Sequence, residues 1–355
     1  MLPVMRPRMP SVDQARPFLD VMDAAGIYSN FGPLVNDLES RYAAKFRISK
    51  EQVVSVSSAT LGIEGAVRTT RVQKWFVPDF TFPATGLAVL EAERKLVLAD
   101  VDPITWELDG FQLPSLDADS GVIPVMAFGA PIDLDRWRGV EHVILDAAAS
   151  LGASDLNLSL LPDTWAVVFS LHATKVLPAG EGGLVVFGDA ERARLFRAWS
   201  NFGFQGKRVS MVAGTNAKMS EIHAAYGLAS FAGWEIEREE WLRPIKKARE
   251  LTEKLGLNSS RQDLLGVHPY WAVDVGTAEV AEVITRAFSQ HDVGHRFWWP
   301  SLQSMPAFAG VETTGDLANS KRLAASVLGL PMFRGVSEQQ LEYVASIVGD
   351  CLAVS

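Results

Sequence analysis

Cysteine is almost missing from this chain: Cys351 is the single thiol among 355 residues. One thiol cannot form an internal disulfide, and its isolation fits a reducing compartment. Basic residues are also in short supply, with 33 Lys and Arg against 42 Asp and Glu, a formal net charge of −9. That balance argues against nucleic-acid binding, which needs clustered cations for the phosphates, but it leaves room for a local basic pocket. Long apolar runs are missing as well. No stretch approaches the ~18 uninterrupted apolar residues of a membrane span, and the opening MLPVMRPRMP has no apolar core of a secretory signal. Neither internal repeats nor low-complexity tracts occur. A cytoplasmic protein without membrane contact is expected. What remains is ordinary globular material, 48% hydrophobic and 21% charged, long enough for about two domains.

Several chemical signatures are missing too. There is no G-x-G-x-x-G, and the glycines at Gly180, Gly182 and Gly183 have the wrong spacing for a dinucleotide fingerprint. Gly206-Lys207 is followed by Arg208, so no G-x-x-x-x-G-K-[ST] phosphate loop exists. H-E-x-x-H and G-x-S-x-G are likewise absent. His291 and His295 enclose Gly294, and with one cysteine and scattered histidines no metal site is expected.

The patterning that is present alternates. Residues 12–26 read as a short helix ending at Gly26 despite Pro17, and 34–46 as an amphipathic helix with Leu34, Leu38, Tyr42 and Phe46 at four-residue steps. Short runs rich in Val and Ile at 52–56, 74–77, 95–99, 122–126, 141–145, 165–170 and 183–187 read as strands. Continuous apolar strands separated by helix-length segments predict an α/β fold, a mostly parallel central sheet with helices on both faces. Residues 217–256 read as helical with Pro244 as the one interruption, and the charged stretch 231–251 as a spine between domains. The boundary is placed near 235, giving a large domain 1–235 and a smaller C-terminal α/β domain 236–355. Within the latter, 270–275 is expected as strand, 278–289 and 336–353 as helices, and 293–299 is left open.

Polar groups gather at the ends of these strands, where open α/β sheets hold their ligands. Strand 52–56 is followed by Ser57-Ser-Ala-Thr60 and a helix, hydroxyls and free N–H groups suited to a phosphate. Asp146 closes 141–145, and Ser170-Leu-His-Ala-Thr-Lys175 follows 165–170. Singly, each has a plain reading: helix cap, strand cap, surface charge. Together, a phosphate cradle, an acid for a cationic ring nitrogen and a strand-end amine are what pyridoxal 5′-phosphate demands. Phe82 could stack on its ring, against the ordinary reading of core packing.

Ordered blocks extend this pattern along the chain: Phe31-Gly-Pro-Leu-Val35, Ser57-Ser-Ala-Thr-Leu61, Pro78-Asp-Phe-Thr-Phe-Pro-Ala-Thr85, Val101-Asp-Pro103, Ile123-Pro-Val125, Asp146-Ala-Ala148, Phe169-Ser-Leu-His-Ala-Thr-Lys175 with Glu181-Gly-Gly183, and Leu328-Gly-Leu-Pro331. With them the chain resembles the DegT/StrS family of pyridoxal-phosphate sugar aminotransferases, of fold type I (aspartate aminotransferase-like). The resemblance implies that Lys175 links to the cofactor and Asp146 partners its ring nitrogen. Thr60, the Leu61 N–H and Ser170 would hold the phosphate, and Phe82 would stack on the ring. Asn216 would reach the phosphate of a second subunit, making a homodimer with composite sites. Substrate contacts are implied for Asn30, His172, Lys218, His295 and Trp298.

Asn201-Phe-Gly-Phe204 and Gly214-Thr-Asn-Ala-Lys-Met-Ser-Glu221 are similar to the viosamine-type branch. That implies ping-pong transfer of an amino group from L-glutamate to C4 of a dTDP-4-keto-6-deoxyhexose in amino-sugar biosynthesis. A 3-keto or UDP/GDP-linked sugar, or a catalytically weak cofactor-binding regulator, are the alternatives. Two departures stand out: Ala149 where the family has Gln or His, and Ala59 where it has Gly.

Overall fold

A computed structural model of the chain describes residues 1–110, 113–130, 134–152, 157–259 and 266–354. In chain order these hold α1 (Val12–Ala25), α2 (Pro33–Phe46), β1 (Val53–Val56), α3 (Ala59–Arg68), β2 (Lys74–Pro78), α4 (Pro83–Glu91), β3 (Lys95–Ala99), β4 (Ser120–Val122), β5 (His142–Asp146), β6 (Ala166–Ser170), β7 (Gly183–Phe187), α5 (Ala190–Trp199), α6 (Glu221–Leu255), β8 (Trp271–Asp274), α7 (Ala278–Gln290), β9 (Arg296–Phe297), β10 (Glu312–Thr313), α8 (Ala318–Ser326), β11 (Val327–Leu330) and α9 (Glu338–Leu352). The main sheet runs β1-β7-β6-β5-β4-β2-β3-β10, and a smaller one runs β8-β11-β9. The main sheet is parallel except for β7, which lies antiparallel to both β1 and β6. This is the expected α/β architecture with a mostly parallel sheet.

Both faces of that sheet are dry, which is why its strands read as unbroken apolar runs. Val168, Val185 and Ile144 point to the layer of α3 and α5, meeting Ile63, Ala66 and Phe196. Their neighbours Val167, Phe169, Leu184 and Val186 face the opposite layer, with Leu34, Leu38, Tyr42 and Phe46 of α2. All four of those α2 residues are buried, and for the wholly apolar Leu34, Leu38 and Phe46 full burial contributes about 1.5–3 kcal/mol each.

Some boundaries moved for visible reasons. The run 122–126 is a strand only as far as Val122, because Pro124 brings no N–H to a ladder. Its carbonyl instead accepts the Asp146 N–H at 2.9 Å, which helps to aim the end of β5. Helix α6 begins at Glu221 rather than 217, capped by Ser220, and runs on through Pro244. Residue 235 falls inside it. Strand β10, from the C-terminal part, completes the edge of the main sheet by pairing with β3. Glu221 is fully buried and caps a distant helix: its carboxylate accepts the Leu34 N–H at 2.6 Å and the Val35 N–H at 3.2 Å. Among the described residues no helix is long and apolar enough to cross a membrane, and no cluster of potential metal ligands occurs.

Candidate active site

A cleft of about 380 Å³ opens beyond the carboxyl ends of the parallel strands. Each expected polar group arrives there by a short local device. Ser58, extended at φ −160°, caps α3, so the first turn of that helix presents Ser58, Ala59 and Thr60 to the cleft. The glycine that begins β7 permits this approach: a Cβ on Gly183 would lie 2.9 Å from the Ala59 nitrogen. Lys175 sits in the excursion between β6 and β7. Its backbone turns through Lys175 N–H to the His172 carbonyl, while Leu171 and Ala173 bond back to Gly182 and Gly180.

Asp146, 6% exposed at the end of β5, accepts hydrogen bonds from Thr85 Oγ1 at 2.7 Å and the Ala148 N–H at 3.1 Å. Both donors are neutral. Burial pushes its carboxyl above the usual range, and the two hydrogen bonds and the Lys175 charge oppose this only in part. Lys175 Nζ donates to the Tyr270 hydroxyl at 2.8 Å. Ser170 Oγ accepts the His172 N–H at 3.2 Å. His172 Nδ1 accepts the Thr174 N–H at 3.2 Å, which leaves the ring proton for Nε2, 3.5 Å from Glu181.

Of the residues singled out from sequence, Thr60, Phe82, Asp146, Ser170, His172, Lys175 and Trp298 line this cleft. Phe82 is 58% exposed, so it is a cleft wall and not core. The Leu61 N–H is engaged by Ser58 Oγ at 3.3 Å. Asn216 and Lys218 lie outside the lining, joined to each other by Lys218 Nζ donating to Asn216 Oδ1 at 2.6 Å, with the lysine over the Phe202 ring. Asn30, in a left-handed turn at φ 64°, is also outside. His295 packs against the Phe288 ring instead of reaching the cleft.

The side chains that sequence reading passed over are Tyr270, Arg296, Trp299, Glu181 and Thr85. For Arg296 a signal existed. Side chains alternate along a strand, so in His295-Arg-Phe-Trp298 the partner of Trp298 on one face is Arg296 and not His295. The structure has Arg296 and Trp298 together in the lining, with the guanidinium 5.2 Å from the Trp298 ring centroid.

A model of the DegT/DnrJ/EryC1/StrS aminotransferase family matches residues 13–349. The chain belongs to that family. This aminotransferase is 26% identical over 368 residues to the dTDP-4-amino-4,6-dideoxy-D-glucose transaminase of Shigella dysenteriae, across 97% of each chain. It is 26% identical over 287 residues, 76% of each chain, to the pleiotropic regulatory protein of Geobacillus stearothermophilus. Among solved structures, DesI in the presence of its TDP-sugar product aligns with a TM-score of 0.86 at 30% identity, over 98% of this chain and 92% of that one.

The aminotransferase therefore works with pyridoxal 5′-phosphate, and its cleft suits that group. A buried carboxylate bonded only to neutral donors awaits a cation such as a protonated ring nitrogen. Hydroxyls and a helix N-terminus, at a place that a Cβ on Gly183 would crowd, suit a phosphate. The Lys175 amine faces the same space.

Proposed function

We propose that this aminotransferase moves an amino group from L-glutamate to the C4 ketone of a dTDP-linked 4-keto-6-deoxyhexose, in the assembly of an amino sugar. The convergence of Lys175, Asp146, Thr60 and Ser170 on one cleft carries the catalytic part of this reading. The sugar part is supported by two relatives whose names concern TDP-linked sugars. Pyridoxal phosphate, when bound, supplies a carbonyl that joins amines and a cationic ring that accepts an electron pair from the substrate carbon.

The protein's own residues do the rest. Lys175 Nζ would hold the cofactor between turnovers and, once released, would carry a proton between the substrate carbon and the cofactor carbon that bears the nitrogen, in one direction for the amino donor and in the other for the keto sugar. The Asp146 carboxylate keeps the ring nitrogen protonated, and Thr85 and Ala148 keep that carboxylate oriented. Ser58, Thr60, Ser170 and the start of α3 bind the phosphate, and Phe82 covers the ring. Arg296 and Trp298, which also line the cleft, offer a cation and an indole face to an anionic, partly apolar substrate.

The proposed dimer is supported by what one chain leaves out of its cleft. Asn216 and Lys218 stand on a surface loop that also exposes Phe202, Val209 and Met211, apolar side chains suited to burial against a second copy. On this reading the loop delivers Asn216 to the partner's phosphate. We read residues 1–235 as the cofactor-holding part and 236–355 as the smaller part that closes one wall, and we assign the enzyme to the cytoplasm.

The test is visible absorbance of the cofactor-loaded protein, first with L-glutamate and then with a panel of 4-keto and 3-keto nucleotide sugars. Bleaching by glutamate and recovery with the dTDP-4-keto sugar is the expected result. Recovery with a 3-keto or UDP-linked sugar alone moves the substrate assignment, and a band that no amino donor bleaches makes the protein a binding regulator.

A further inference from the structure

We propose that Tyr270 is a positioning residue for this reaction: its phenolic oxygen anchors the Lys175 amine and aims it into the cleft. The proposal rests on the reading of Lys175 as the reacting amine. Lys175 Nζ is 2.8 Å from the Tyr270 oxygen and 5.4 Å from the ring centroid. The second distance is almost the sum of the first and the reach of a phenol oxygen from its ring centre. The amine thus meets the hydroxyl nearly end-on, and the contact is a hydrogen bond and not a cation over a ring face.

The two partners differ in freedom. Lysine carries its charge on a flexible four-carbon stem and by itself samples many rotamers. Tyr270 does not move so easily. The residue is 8% exposed, and its ring is wedged edge-on between Phe128 at 5.7 Å and Trp298 at 5.1 Å. Its carbonyl accepts a hydrogen bond from His268 Nδ1 at 2.9 Å, just ahead of β8. A rigid group in the C-terminal part therefore fixes a mobile one in the loop after β6, 95 residues earlier.

The surroundings explain why a neutral anchor is useful. Lys175 shares the cleft with Asp146 of β5, whose carboxyl feels its charge, with His172 and Glu181 of its own loop, and with Arg296 of β9. On its far side a small cavity brings Arg6, Arg8, Glu237 and Arg334. A carboxylate anchor would hold the amine as an ion pair and compete with its chemistry. A phenol oxygen accepts one N–H and leaves the amine available. Proton transfer is steep in distance and angle, so the loss of this single contact is read in rate before it is read in binding.

The test is Tyr270→Phe in the cofactor-loaded enzyme, a change that keeps the ring and its packing. We expect kcat to fall about 10- to 100-fold, with KM for L-glutamate changed by no more than about 3-fold. The pH titration of the cofactor's visible band should move by about half a unit or more, because the atom next to the cofactor has lost a hydrogen-bond partner. Thermal stability should stay close to that of the parent. Borohydride reduction followed by peptide mass analysis locates the linked lysine in both proteins and separates the two levels of the argument. A label on Lys175 with a superimposable titration and kcat within twofold overturns the role of Tyr270 alone. A label on another lysine in the parent overturns the Lys175 reading, and this proposal with it.

Discussion

The two walls of the cleft are built by different rules. The polar wall is assembled from strand ends of one parallel sheet, where Asp146, Ser170 and the Ser58 cap arrive at fixed places because neighbouring strands share a register. The opposite wall has a much smaller scaffold. Tyr270, Arg296, Trp298 and Trp299 come from a three-stranded antiparallel patch and its loops, held by ring contacts such as Phe128 stacked on Trp299 at 4.2 Å. Phe128 itself sits in the left-handed region at φ 55°, a conformation costing on the order of 1–3 kcal/mol that surrounding packing must offset. The lesson is a division of labour. Hydrogen-bonded register places the groups that act on the reacting atoms, and packed aromatics shape the space beside them.

A second contrast sharpens the first. Glu221 and Asp146 are both buried carboxylates, yet they serve different ends. Glu221 is consumed by the fold, capping the amides of Leu34 and Val35. Asp146 has one hydroxyl and one amide and borders open space.

Substitutions can break this comparison. The largest effect is expected on the polar wall: Lys175→Ala should lower turnover by about 10³-fold or more while the protein still folds and retains the cofactor without a covalent link, as equilibrium dialysis would measure. Near-normal turnover would place the reacting amine elsewhere.

Next, Asp146→Asn should cost about 10²- to 10⁴-fold in turnover, because a neutral amide cannot keep the ring nitrogen protonated. Its effect on stability has the opposite sign in the cofactor-free protein. The folded carboxyl titrates above its unfolded value, so it is neutral in free energy well below both values and destabilises the fold increasingly as pH rises toward the folded one. Cofactor-free Asp146→Asn should therefore melt at or above the parent temperature at neutral pH, and the stabilisation gained on adding cofactor should shrink. A lower melting temperature without cofactor would mean that Asp146 is a structural acid like Glu221.

The smallest effect is expected at the seam between the walls. Ala149 packs in the cluster of Phe128, Tyr270 and Trp298. Ala149→Gln should shift the pH titration of the cofactor band yet change turnover by about tenfold or less, roughly 1.4 kcal/mol. A thousandfold gain would instead mark the natural protein as a weakened enzyme.

Much of this molecule was legible in one dimension. Unbroken runs rich in Val and Ile indicate buried strands, and Leu34, Leu38, Tyr42 and Phe46 form the expected buried stripe. Motifs at strand ends brought Thr60, Asp146, Ser170 and Lys175 to one place, because a parallel sheet puts all its carboxyl ends on the same side. By itself, then, the sequence determined the layers, the sheet and the polar wall, all matters of local periodicity and short motifs. Only the tertiary structure decided that Glu221 caps α2, that β10 closes the far edge of the sheet, and that Tyr270 meets Lys175. It also decided that Arg296 and not His295 joins Trp298 in the cleft. Those are contacts between segments tens to hundreds of residues apart, whose short strands and lone side chains carry no periodic signal. Their positions follow from packing, which exists only once the chain has closed on itself.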